Sequence, residues 1–180
     1  MTQPPKITHL RISEGLFSAL SAGFFLLLVG TLFVITPNLF DKLQAFFTDF
    51  TLKEPIPHLA NVFVPVPEHL GQHTVVYTAA GQFSLVWGVF QVIILTLRFV
   101  VGSPVSKKAE TAGNIIGWLG TAYLIDVLLT SALFTGFNAL ENWFVFWAAL
   151  IMLIGVSLIV RAAILAAHFW FFSQFSSKTS

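Results

Sequence analysis

The chain has 180 residues, of which 56% are hydrophobic and 9% charged, and its formal charges sum to +1, with a mean hydropathy of +0.84. A soluble domain averages roughly 25% charged residues, so the composition excludes an ordinary soluble fold. The balanced charge excludes the basic field that nucleic acid requires. Cysteine is absent, which excludes disulfides, thiolate catalysis, iron–sulfur clusters and cysteine-bound zinc.

The composition points to an all-α integral membrane protein in one domain, residues 1–180. The expected architecture is a bundle of four transmembrane helices with an amphipathic interfacial helix in the first outer loop. Crossing a bilayer takes roughly 20 mostly apolar residues. Four stretches qualify, at about 15–36, 75–101, 111–134 and 143–172. A secretory signal is the rival reading of the first. Its apolar core would be roughly 7–15 residues and lead into a small-x-small site. This stretch is longer and ends in Thr36-Pro37-Asn38, so it reads as a retained span. Ala19, Gly23 and Gly30 give it a small-residue face.

In the following loop, Leu39, Phe40, Leu43, Phe46, Phe47 and Phe50 fall at offsets 0, 1, 4, 7, 8 and 11. That is one stripe of a 3.6-residue helix. A helix over about 38–51 is too short to span. Its Phe-rich face is expected to lie in the membrane interface or to cover the outer ends of the spans. Farther on, Pro55, Pro57, Pro65 and Pro67 oppose helix interior and central strand. The same region holds His58, His69 and His73. On a helix starting at Pro67 the last two would share a face and, with His58 or Glu68, could bind a metal. Gly71 interrupts that turn, so solvated loop histidines are the expectation and metal ligation the alternative.

In the second span Tyr77, Ser84, Gln91 and Arg98 recur every seven residues, interleaved with Gly81, Gly88 and Leu95. Such a heptad seam of small and polar residues predicts close packing and cross-helix hydrogen bonds. The glycines favour packing over a pore stripe. The third span opens with Gly113, Gly117 and Thr121, a small-x-x-x-small stripe, with Asn114 beside it.

Asp126 lies well inside the third span, where an ionised carboxylate costs at least about 2.5–3.5 kcal/mol. Tyr123 and Thr130 are close enough on the helix to hydrogen-bond it. A structural acid held by those hydroxyls is the first expectation, and a proton or cation site the second. Arg161 in the fourth span is the obvious ion-pair partner. Counting from the span ends puts the two about 15 Å apart in depth, which argues against a direct pair. The same count brings Arg98 and Arg161 to one level near Lys107 and Lys108, a basic collar suited to anionic lipid headgroups. His168 is the only histidine near a span, so a haem held between helix histidines is not expected.

Bases flanking the spans set orientation. Lys6, Arg11, Lys107, Lys108 and Lys178 fall on one side and only Lys42 and Lys53 on the other. Both termini are therefore expected in the cytoplasm, with the chain multi-pass in the cell membrane. The segment Gly102-Ser-Pro-Val-Ser-Lys-Lys-Ala-Glu-Thr-Ala-Gly-Asn114 resembles a loop of small, uncharacterised archaeal four-span membrane proteins. The resemblance covers that segment and the four-span layout; it implies no activity and carries over no site residue.

The sequence carries no catalytic or cofactor signature, and no cofactor is expected. The leading expectation is a non-enzymatic bundle, a small subunit or scaffold of a membrane complex. Its partners would be membrane lipids and either a second copy or another membrane protein. The alternative is an oligomeric ion or proton channel, or a small-solute carrier, using Asp126 and Gln91. A lipid-acting enzyme using the outer histidines comes last.

Overall fold

The computed structural model describes residues 6–53, 63–131 and 139–176. Its elements are α1 (Lys6–Ile35), α2 (Leu39–Thr48), β1 (Phe50–Lys53), β2 (Val64–Pro67), α3 (Thr74–Val101), α4 (Val105–Leu124) and α5 (Ala139–Ser176). Four segments are long and apolar enough to cross a membrane: Glu14–Ile35, Leu70–Val101, Val105–Thr130 and Leu140–Phe171. The chain is mostly helical, as expected, with a small sheet added.

Boundaries follow local chemistry. Pro37 disfavours helical geometry at Thr36, and Asn38 turns the chain in the left-handed region, with φ of 54°. Asn tolerates that region because its short side chain can bond locally. At the far end of α3, Gly102 has φ of 74°. The Gly102 amide bonds Phe99 O at 3.3 Å and the Ser103 amide bonds Arg98 O at 3.0 Å. This paired cap ends the helix in a left-handed residue. Three residues later α4 runs back antiparallel to α3. It begins at Val105, earlier than the expected 111, so Lys107, Lys108 and Glu110 sit on its first turns. Past Leu124 the helix widens into a π turn, Ile125–Thr130, in which Ser131 N donates to Asp126 O at 2.7 Å.

The small sheet is a two-stranded antiparallel ribbon pairing Phe50 with Pro67, Thr51 with Val66, Leu52 with Pro65 and Lys53 with Val64. The expected helix therefore stops at Thr48, and Phe50 belongs to a strand. The prolines are compatible with pairing because a two-stranded ribbon is all edge. They take alternate positions, Pro65 and Pro67, leaving the intervening residues to carry the ladder.

In space the spanning helices follow chain order, α1 against α3, α3 against α4 and α4 against α5. Glycines permit two close contacts. A Cβ added at Gly88 would meet Leu119 at 2.5 Å, and one at Gly120 would meet Leu153 at 2.5 Å. Between α1 and α3 the contact is aromatic, Phe24 stacking on Phe90 with ring centroids 4.0 Å apart. Hereafter the end carrying the ribbon is the ribbon end and the end at Gly102 the turn end. At the ribbon end Val66, Tyr77, Trp143 and Phe146 form a buried cluster, joined by Phe46 and Phe50.

The stripe of α2 divides between two faces. Leu39 is buried and Leu43 and Phe46 half-buried against the bundle, whereas Phe40 and Phe47 are 69% and 70% exposed. Offsets 1 and 8 lie about 100° round the helix from offsets 0 and 7, enough to turn two phenylalanines outward.

Candidate functional site

Among the described residues, polar side chains gather in three places. At the ribbon end, Asp49 ends α2 and collects both described loop histidines. Its Oδ1 meets His69 Nδ1 at 2.8 Å; its Oδ2 accepts from the His69 amide and from His73 Nε2, each at 2.8 Å. An ionised carboxylate only accepts, so each imidazole donates. The His69 ring and backbone, then His73, hold the Asp49 carboxyl well below its ordinary range. Asp49 in turn raises the His69 imidazole above its ordinary value of 6.5. His73 is buried, with Phe46 edge-on to its ring at 5.2 Å, while His69 is exposed.

His69 and His73 thus converge through Asp49 and not along a helix face, because Leu70–His73 is a 3-10 turn. His58 lies outside the described residues. Asp49, Glu68 and His69 each offer a ligand atom, all within 4.8 Å of one another. Three protein ligands of this chemistry could hold a divalent cation with one open position. The His69–Asp49 hydrogen bond would have to give way to it. As it stands, the cluster is a clamp joining the end of α2 to the start of α3.

The second place is a cleft on the side of the bundle, about 440 Å³, lined by Thr78, Gln82, Tyr123, Asp126 and Thr130 among apolar neighbours. Asp126 is exposed there. Its carboxylate accepts from Ser131 Oγ at 3.4 Å, and no hydrogen bond joins it to Tyr123 or Thr130; Tyr123 is itself 66% exposed. The adjacent Ile125 packs on Gly81, seven residues into α3, which puts Asp126 roughly 10 Å inside the ribbon end. Arg161 packs its Cβ beside Gly113. Thirteen residues separate Gly113 from Asp126, or about 20 Å along the helix. The two charges belong to different levels, in line with the depth count.

The third place is a polar cavity of about 310 Å³ toward the turn end, between α1, α3 and α4. Arg98 Nη2 donates to Glu14 Oε2 at 3.1 Å, and Arg98 Nη1 donates to Lys107 O and Thr111 Oγ1 at 2.6 and 2.7 Å. Lys107 pairs with Glu110 at 2.9 Å, and the Lys108 ammonium lies 4.6 Å from the Phe99 ring centroid. Two of the four collar bases are thus neutralised within the chain. Arg161 is exposed. Gln91 opens into this cavity and Asp126 into the lateral cleft, so the two residues grouped in the channel reading line separate spaces.

The packing residues divide likewise. Ser84 and Gly88 are buried in the α3 seam, and Gly81 contacts Ile125. Ser84 Oγ donates to its own helix at Ala80 O, 2.8 Å away. Cross-helix bonds come instead from Arg98 of the same seam, to α4 and α1, and from Ser157 Oγ to Gly113 O at 2.7 Å. Gly117, Gly23 and Gly30 have open space where a Cβ would stand, and Gly120 takes the contact that Gly117 was expected to make.

Sequence reasoning passed over Glu14 and the hub role of Asp49. Glu14 had one available signal, as the sole acid at the mouth of the first span. Asp49 had none, being 20 and 24 residues from its histidines. Comparison with protein-family models, curated proteins and solved structures finds no match for this chain.

Proposed function

We propose that this chain is a non-enzymatic integral protein of the cell membrane, a small subunit that docks onto a different membrane protein through the cleft bearing Asp126. The exposure of Asp126 carries the reading. A carboxylate on the side of a spanning segment, four residues or about 6 Å from its end at Thr130, faces lipid unless another helix covers it, and such exposure is unfavourable. The covering helix should present a hydrogen-bond donor or a cation at that depth. A second copy could meet Asp126 only with the uncharged donors of its own cleft, such as Gln82 and Tyr123. Copies in one membrane share an orientation, and the cations of this chain nearest the spans, Arg98 and Arg161, stand toward the turn end.

In this reading the turn end is cytoplasmic, following the bias of bases, and both termini lie on that side. Phe40 and Phe47 point from α2 into the outer interface, while Arg161 and Lys108 meet anionic headgroups on the inner one. Mild extraction from native membranes, with mass spectrometry of what co-purifies, tests the proposal. A stoichiometric membrane protein retained by the natural chain and lost from Asp126→Leu is the expected outcome. An unaccompanied monomer, or a partner indifferent to Asp126, would overturn it.

A further inference from the structure

We propose that the turn-end cavity binds a neutral, hydroxyl-rich group of the sugar class. The cavity reaches inward from Lys107 and Glu110, on the first turns of α4, to Gln91 and Ser21. Gln91 is the deciding residue. It is only 8% exposed, it lines the cavity, and among the described residues its amide makes no hydrogen bond. A buried amide without a partner is unfavourable. Its oxygen and nitrogen are not sealed off, as Tyr77 Oη and Asn142 Oδ1 are, so a molecule in the cavity can reach them. The same space collects Ser18 and Ser21 from α1 and Asn114 from α4. None of these three side chains is hydrogen-bonded among the described residues either. Three helices thus present unbonded amides and hydroxyls to one space of about 310 Å³, large enough for a small ligand.

Bonding type selects the ligand. The charged groups around the cavity are paired within the chain, Arg98 with Glu14 and Lys107 with Glu110, and leave no net sign for an ion. What stays free both gives and accepts. Each amide sets a carbonyl oxygen beside an NH2 group, and each serine hydroxyl is donor and acceptor at once. A phosphate or carboxylate only accepts and would leave the amide oxygens unmet; an ammonium only donates and would leave the amide nitrogens unmet. A hydroxyl does both, and two adjacent hydroxyls can bond the oxygen and the nitrogen of one amide together. A sugar ring carries several such pairs without charge, so it can engage the amides of α3 and α4 and the serines of α1. Water meets the same atoms one at a time and is the competing occupant. The mouth lies at the turn end, where the sugar headgroup of a glycolipid and a free sugar can both enter.

The full chain, purified in a detergent without a sugar headgroup, is reconstituted in nanodiscs of phosphatidylethanolamine, phosphatidylcholine and glucosyl-diacylglycerol. Retained lipid is read by native mass spectrometry. In parallel, free methyl glucoside is titrated onto the chain in nanodiscs lacking the glycolipid, with binding followed by saturation-transfer NMR. Expected is either about tenfold enrichment of the glucosyl lipid over the other two, or saturable binding of the free glucoside. The first assigns the lipid as source and the second the solute. Gln91→Leu and Asn114→Leu, which leave both ion pairs intact, should each abolish the effect. Gln91→Leu removes an amide that no protein group bonds, so it should melt no lower than the natural chain, and its loss of binding is not loss of fold. No enrichment together with no binding of the free glucoside would mean water alone in the cavity and would overturn the proposal. Preference for either phospholipid, or sugar binding that both variants retain, would overturn it equally.

Discussion

At Asp49 one carboxylate serves two imidazoles and a backbone amide, and its protonation states set when the clamp holds. The Asp49 carboxyl is lowered, so its contribution is complete above its ordinary value of 3.8 and is lost only as pH falls through the lowered one. The His69 imidazole is raised, so its contribution is complete below 6.5 and is lost as pH rises through the raised value. The clamp is therefore strongest from about pH 4 to 6.5. Comparing the melting temperatures of the natural chain and His69→Ala in detergent checks this: the gap should be wide at pH 5.5 and narrow at pH 9. A gap that is constant or widens with pH would show that His69 acts by packing alone. Toward the other end, Arg98→Leu strands the Glu14 carboxylate. Removing one partner of a fully buried pair costs 3–5 kcal/mol; partial exposure of both groups reduces that here to about 2 kcal/mol. The double variant Arg98→Leu, Glu14→Leu should recover most of the lost melting temperature.

Among the elements, α4 carries the close contacts, with α3 through Gly88 and with α5 through Gly113 and Gly120. Gly88→Ala would push a methyl into Leu119, whose backbone N is also only 3.2 Å away, leaving little room to yield. A cost of about 1–3 kcal/mol is expected. Gly23→Ala and Gly117→Ala meet nothing within 4 Å and should stay within about 0.5 kcal/mol of the natural chain, as thermal melting would show. This contrast marks how far the sequence was legible. The heptad of small and polar residues identified the face of α3 that is buried, because face follows from period alone. It did not identify which glycine of α4 meets a neighbour, since that depends on where Leu153 and Ser157 fall on the opposing helix. The Pro-rich loop was legible only as non-helical; pairing in a ribbon depends on register, which proline spacing permits without dictating. The π turn at Asp126 has no periodic signature.

Taken whole, the molecule is a hydrophobic bundle whose described charges stand toward its two ends, with Asp126 and Arg161 set farther in along their helices. The absence of cysteine makes orientation directly measurable. A single cysteine replacing Lys108 should be blocked by impermeant thiol reagent only when the membrane is inverted, and one replacing Lys42 only in intact cells; the opposite pattern would reverse the proposed topology. Composition and spacing were enough to read four segments long and apolar enough to span, and to single out Asp126 as an acid within one of them. That Asp126 faces outward, and Gln91 into a different cavity, required the packing of α3 on α4. The central claim, that a different membrane protein covers the Asp126 face, is tested most directly by a photo-reactive amino acid replacing Gln82, which lines the same cleft. In native membranes it should form one adduct, with a protein other than this chain, and Asp126→Leu should abolish it. Adducts confined to lipid or to a second copy, unchanged by Asp126→Leu, would contradict the claim.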